Sequence, residues 1–186
     1  MTDILYIGPY KQPDNWGKMA QLTIMALAKN EDINLVTRPI WYSNQSTIDH
    51  RFNIYEHNKL NSKDILIQHG LPYSMSYNGD FEKNIAIIHI DCELKNTEWA
   101  DRLKLFDAVV VYSLNEVYIL QDCGINNAVF LLPPPYIPNQ PETPFDFMFA
   151  DFNFYTTSGL DQKSGLSEIL IAYLSTFTAL DRDWET

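Results

Sequence analysis

Four stretches of this sequence place chemically capable residues next to turns. The first runs from Gly8-Pro9-Tyr10 to Trp16-Gly17. One glycine after an apolar run and another opening a helical pattern let backbone approach a ligand, and a helix N-terminus favours negative charge. The GxGxxG spacing is absent, so this is no dinucleotide fingerprint, and a plain turn has the same spacing. The second is His69, held between an apolar run and Gly70-Leu71-Pro72. A histidine there can polarise or hydrogen-bond a substrate hydroxyl, or simply bond a neighbouring carbonyl. In the third, His89, Asp91 and Glu93 alternate and so share one side for as long as a strand lasts. They suit a metal cluster, an acid/base pair or a strand end dissolving into a polar loop; the ligands are too few for a metal site, and none is assigned. The fourth begins at Ser113, a residue type suited to capping a helix.

The remaining reactive types offer less. Cys92 and Cys123 stand in no CxxC or metal-like spacing and read as free buried thiols. His50 and His57 fall in unpatterned sequence and are expected to face solvent. A net charge of -11 argues against non-specific nucleic-acid binding, which needs Lys and Arg against phosphate. No basic n-region leads into an apolar h-region, and no apolar run nears the roughly 20 residues that cross a bilayer. A soluble, cytoplasmic protein is expected.

The elements that must position these residues follow from apolar patterning. Short apolar runs at Asp3–Ile7, Ile33–Thr37, Asp64–Gln68, Asn84–Ile90, Ala108–Tyr112 and Ala128–Leu132 read as buried strands. Helical spacing appears over Lys18–Lys29 (through Met19, Leu22, Met25 or Ala26, and Leu27), Lys95–Phe106 and Asn115–Cys123, the last closed by Gly124. The stretch from Ile40 to Leu60 has no clean period. Strands that are almost unbroken apolar runs, alternating with helices, predict an α/β, Rossmann-like, doubly wound parallel sheet covered on both faces. Ligands then bind outside the carboxyl ends of the strands, where all four stretches fall. Pro133-Pro134-Pro135, with Pro138 and Pro141, breaks regular structure and marks a domain boundary, giving a domain over residues 1–138 and a linker with an incomplete segment over 139–186. Phe145–Phe154 reads as a strand and Leu166–Phe177 as a helix.

The order of these parts carries a family resemblance. DILIQHGLPYS resembles the strand and catalytic-histidine loop of retaining GT-B glycosyltransferases of family 4. The run NIAIIHIDCELKNTEWADRLKLFDAVVVYSLNEVYILQDCGINNAVFLLPPPY is similar to that family's most recognisable N-domain stretch, with matches at Glu93, Trp99, Asp107, Ser113, Gly124-Ile125 and Pro133–Pro135. The opening Gly8–Gly17 resembles the family's acceptor loop. The likeness covers about residues 3–138. It extends more weakly to Lys163-Ser164-Gly165, where Ser is inserted and no Arg precedes Lys.

The resemblance implies a GT-B N-terminal domain and retaining, metal-independent transfer of a sugar from a nucleotide-sugar to an acceptor, with no other cofactor. It implies His69 as the catalytic residue. Gly8, Tyr10, Trp16 and Gly17 would form an acceptor or phosphate loop. His89, Asp91, Glu93, Trp99 and Ser113 would be acceptor-side or structural, and Lys163 would neutralise the donor diphosphate. The family holds its donor mostly through a C-terminal domain, so the donor site is expected to be incomplete within these residues. A partner chain or homo-oligomer could complete it. The alternative is a non-catalytic Rossmann-like binding or partner module. Response-regulator-like and flavodoxin-like folds are disfavoured, because no Asp cluster and no Gly/Ser/Thr phosphate loop follows the first strand.

Overall fold

The computed structural model describes residues 1–42, 50–90, 97–132, 171, 172 and 175. The chain divides into two units, Met1–Ile137 and Pro138–Thr186. Asp91, Cys92, Glu93, the Pro133–Pro135 run, the expected strand over 145–154 and Lys163 lie outside the described residues. Of the expected helix over 166–177, only Ile171, Ala172 and Ser175 are described, all helical.

Among its described residues the first unit has six strands: β1 (Thr2–Gly8), β2 (Ile33–Pro39), β3 (Ile65–Gly70), β4 (Lys83–Ile88), β5 (Ala108–Val111) and β6 (Ala128–Phe130). Every pairing is parallel, in the order β2-β1-β3-β4-β5-β6. Helices α1 (Asn15–Leu27), α2 (Asn53–His57), α3 (Thr97–Leu103) and α4 (Leu114–Asp122) stand between the strands. This is the α/β, Rossmann-like arrangement. Its strand order reverses between β1 and β3, which makes that point the topological switch.

Alternation along the strands feeds two cores. Ala86 and Ile88 of β4, with Val109 and Val111 of β5, pack against Trp99, Leu103, Val117 and Leu120. Ile4 and Tyr6 of β1, Leu35 of β2, Ile67 of β3 and Ile87 of β4 pack on the other face with Ala20 and Ile24 of α1 and with Phe52. Neighbours such as Ala86 and Ile87 therefore serve opposite layers, which is why the strands read as continuous apolar runs.

Helix α1 starts at Asn15 rather than Lys18, because Asp14 caps it: its Oδ1 accepts from the Gly17 amide at 2.8 Å. Its fully buried stripe is Gly17, Ala20 and Ile24; of the expected Met19, Leu22, Met25 or Ala26, and Leu27, Leu27 packs half-buried against the core, Met19 and Leu22 are half-buried, and Met25 and Ala26 are exposed. Small residues let this helix lie close to neighbouring backbone, and a Cβ on Gly17 would collide with the Gln12 carbonyl. Helix α4 ends as expected at Gly124, whose φ of 77° is left-handed. Gly124 N donates to Gln121 O at 2.8 Å and Ile125 N to Leu120 O at 2.9 Å, a Schellman closure with both apolar partners buried. Among the described residues of the unpatterned stretch, a 3-10 turn at His50–Phe52 runs into the five residues of α2, too short for either element to show a period. His50 and His57 are exposed.

At the amino ends of the strands lies a polar cluster centred on Asp3. The buried Asp3 carboxylate accepts from Asn34 Nδ2 at 2.6 Å, from Ser62 Oγ at 3.0 Å, and from the Asn61 and Ser62 amides. These donors hold its pKa down to about 2, the Asn34 bond contributing most.

Candidate functional site

At the carboxyl ends of β1, β3, β4 and β5 the α1 side of the sheet opens into a cleft of about 500 Å³, lined by Asp14, Asn15, Trp16, Met19, His69, His89 and Tyr112. It sits where the strand order reverses.

His69 forms its floor. Strand β3 runs two residues further than its apolar run predicts, so His69 lies inside the strand and pairs in register with Ile87. That register turns it to the face of Ile67, toward α1. The side chain is 1 % exposed. Its Nδ1 is hydrogen-bonded to the Tyr6 hydroxyl at 2.6 Å, across 63 residues of sequence. Nε2, on the other side of the ring, has no partner among the described residues. Three aromatic rings surround the imidazole, with centroids at 6.1 Å for Tyr6, 6.5 Å for Trp16 and 6.2 Å for Tyr112. Burial lowers the His69 pKa from 6.5 to about 4, so the ring is neutral at pH 7. A neutral imidazole has one N–H donor and one acceptor nitrogen, so what Nε2 offers a ligand depends on the tautomer. Burial likewise raises the hydroxyl pKa values of Tyr6 and Tyr112.

His89 follows β4, which ends at Ile88, so the expected alternation with Asp91 and Glu93 has no strand to carry it. Its ring is 5.7 Å from that of Trp16, and its Nδ1 pairs with Glu116 Oε1 at 2.7 Å. Glu116 is nearly buried and is not among the residues expected from the sequence. Its Oε1 also accepts from the Ile90 amide at 2.9 Å, and its Oε2 from the Tyr112 and Ser113 amides at 3.2 and 3.0 Å. One carboxylate thus ties the end of β4 to the end of β5. The signal was present as Ser113-Leu114-Asn115-Glu116, the S-x-x-E of a capping box, in which Ser113 Oγ accepts from the Glu116 amide at 3.1 Å.

Several candidates lie away from the cleft lining. Tyr10, expected in a ligand-facing loop, is fully buried against Phe52 and donates to Glu56 Oε1 at 3.0 Å. Gly17 gives its space to the Gln12 backbone rather than to a ligand, and Gly8 makes room for the Tyr6 ring. Trp99 is a core residue and Ser113 a helix cap, the structural alternative for each. Cleft residues that the sequence pattern did not reveal are Asp14, Asn15, Met19 and Tyr112. Among the described residues no group of three or more His, Cys, Asp or Glu is placed to hold a metal, and no helix is long and apolar enough to cross a membrane.

Comparison with protein-family models, curated proteins and solved structures finds no match to this chain.

The chemistry of the cleft follows from its lining. Its lining includes the Trp16 indole, the Tyr112 and His89 rings and the His69 imidazole, whose buried Nε2 has no partner among the described residues. The α1 N-terminus is already occupied by the Asp14 carboxylate, which makes that end poor ground for a phosphate. No Lys or Arg is among the described residues that line the cleft. An uncharged ligand with a flat apolar face and hydroxyls or carbonyls at its rim suits this surface.

Proposed function

We infer that this chain is the acceptor-side domain of a retaining, metal-independent GT-B-type glycosyltransferase, acting on a nucleotide-sugar donor and a hydroxyl-bearing acceptor. The observation that carries this reading is the His69 Nε2, buried and unpartnered on the floor of a cleft at the topological switch, beside Trp16. Buried polar atoms are as a rule hydrogen-bonded, so an orphan beside an open cleft is a place for a ligand atom. A sugar ring laid on Trp16 would bring a rim hydroxyl to it. A described lining without Lys or Arg supports assigning the acceptor to this domain and leaving the diphosphate to the segment that carries Lys163.

A second reading, a binding module without turnover, is favoured by one observation. Each acid/base candidate in the cleft is already engaged, since Asp14 caps α1, His89 pairs with Glu116, and His69 is held neutral. Titration calorimetry with UDP, GDP, their sugars and neutral saccharides, beside a sugar-release assay, separates the two. Sugar release supports the transferase, saccharide binding without nucleotide-sugar binding fits an acceptor-side domain, and binding of both without release supports the module. Binding of none of these by the wild-type chain would remove both.

A further inference from the structure

Tyr6 sits in the middle of an apolar run and reads as core, yet its hydroxyl is the one polar group among the described residues that meets His69 Nδ1. The separation of 2.6 Å is short for N–H···O, which runs from about 2.7 to 3.2 Å, and ordinary for a hydroxyl donor. The phenol hydrogen has a poorer alternative in the Ala20 carbonyl, at 3.5 Å. Its other neighbour is the Thr23 hydroxyl, whose own hydrogen goes to the Met19 carbonyl at 2.9 Å, which leaves the Thr23 oxygen as the acceptor that competes with Nδ1 for the phenol hydrogen.

We propose that Tyr6 is the positioning residue of this cleft: its hydroxyl donates to Nδ1 and thereby holds His69 as the neutral tautomer with the proton on Nε2. The ring then presents one N–H donor to the cleft, and the ligand atom it takes is an oxygen acceptor, a hydroxyl or carbonyl, rather than an ammonium or amide N–H. Tyr6 touches no ligand. It acts through the imidazole by choosing which half of the hydrogen bond His69 supplies. The neighbouring rings of Trp16 and Tyr112 flank the imidazole. This role rests on the cleft being the ligand site and does not depend on sugar transfer.

The test is long-range ¹H–¹⁵N NMR of the ¹⁵N-labelled full chain at pH 7. His69 resonances are assigned by their loss in His69→Gln. The expected spectrum shows a protonated Nε2 and an unprotonated Nδ1 displaced from its free value by an accepted hydrogen bond. In Tyr6→Phe that displacement disappears and the Nδ1–H tautomer becomes populated. A wild-type Nδ1–H tautomer would mean that the relay runs from imidazole through Tyr6 to Thr23, and would overturn the proposal. So would an imidazolium, or a His69 spectrum that Tyr6→Phe leaves unmoved. The wild-type spectrum decides the tautomer even if Tyr6→Phe fails to fold. Saccharide binding can fail while the tautomer holds, which would count against the transferase and module readings and not against the role of Tyr6.

Discussion

His69 is 1 % exposed, and charging it there is costly enough to lower its pKa to about 4. The unfolded chain protonates the same ring near 6.5. Below that pH the unfolded state holds more protons than the folded one, so stability is complete above pH 6.5 and falls as pH drops toward 4. The full difference is about 3 kcal/mol. Asp3 extends the acid loss into a second window. Its folded pKa of about 2 lies below the ordinary carboxylate value, so its contribution is present above pH 4 and lost as pH falls through 2. Urea titrations across pH 2–7 should show both windows. His69→Gln should flatten the upper one and Asp3→Asn the lower one; a slope between pH 6.5 and 4 that survives His69→Gln would contradict this account of the histidine. On the sugar-transfer reading, His69→Ala lowers turnover by about 10²-fold with the fold intact, since a positioned polar group contributes on that order. Turnover near wild type would remove His69 from the site.

The cleft is shaped by the ends of its elements. Glu116 satisfies three backbone amides and His89 from within the first turn of α4. Glu116→Ala leaves those buried donors without a partner and should cost about 3 kcal/mol, Glu116→Gln about half of that, both read from the urea midpoint at pH 7. A loss below about 0.5 kcal/mol for the alanine variant would show that water replaces the carboxylate freely. At α1 the constraint is space. Gly17→Ala pushes a methyl into the Gln12 carbonyl, and shifting a packed backbone costs about 2 kcal/mol. The thermal midpoint should fall by roughly 6 °C. Because Trp16 precedes Gly17, on the reading that the cleft is the ligand site the same variant should weaken binding there more than a remote variant of equal instability.

Across the whole first unit, a layer of helices on each face encloses the middle of the sheet, while β2 and β6 form its edges. Strand β6 has only three residues, and Val129, Leu131 and Leu132 remain well exposed. Amide hydrogen exchange should be slowest in β1, β3 and β4 and fastest among the strands in β6, because opening the centre means breaking both layers. Protection in β6 equal to that in β3 would indicate that the edge is covered in solution. The same topology explains where the cleft lies. Chain leaving β1 and chain leaving β3 depart in opposite directions along the sheet, and the gap between them stays open at the carboxyl ends.

Local pattern in the sequence by itself determined the six strands, the helices α1, α3 and α4 of the first unit, the parallel class and the end of the sheet that bears the cleft. Each depends on composition within a few residues: runs of Val, Ile and Leu buried on both faces, a Ser at a helix start, a Gly at a helix end. His69, Trp16 and His89 were legible as site candidates for the same reason, since each stands beside a turn. Only the tertiary structure decided which side chains meet. Tyr6 and His69 come together because β1 pairs with β3 in a register no local pattern encodes. Tyr10 turns inward because Phe52 and Glu56 of a distant segment receive it, and α1 presents Gly17 and Ala20 because close approach to backbone outweighed the larger residues on its other side. The local period states that a residue is buried. The partner waiting for it is set by strand order and register, which are properties of the folded sheet.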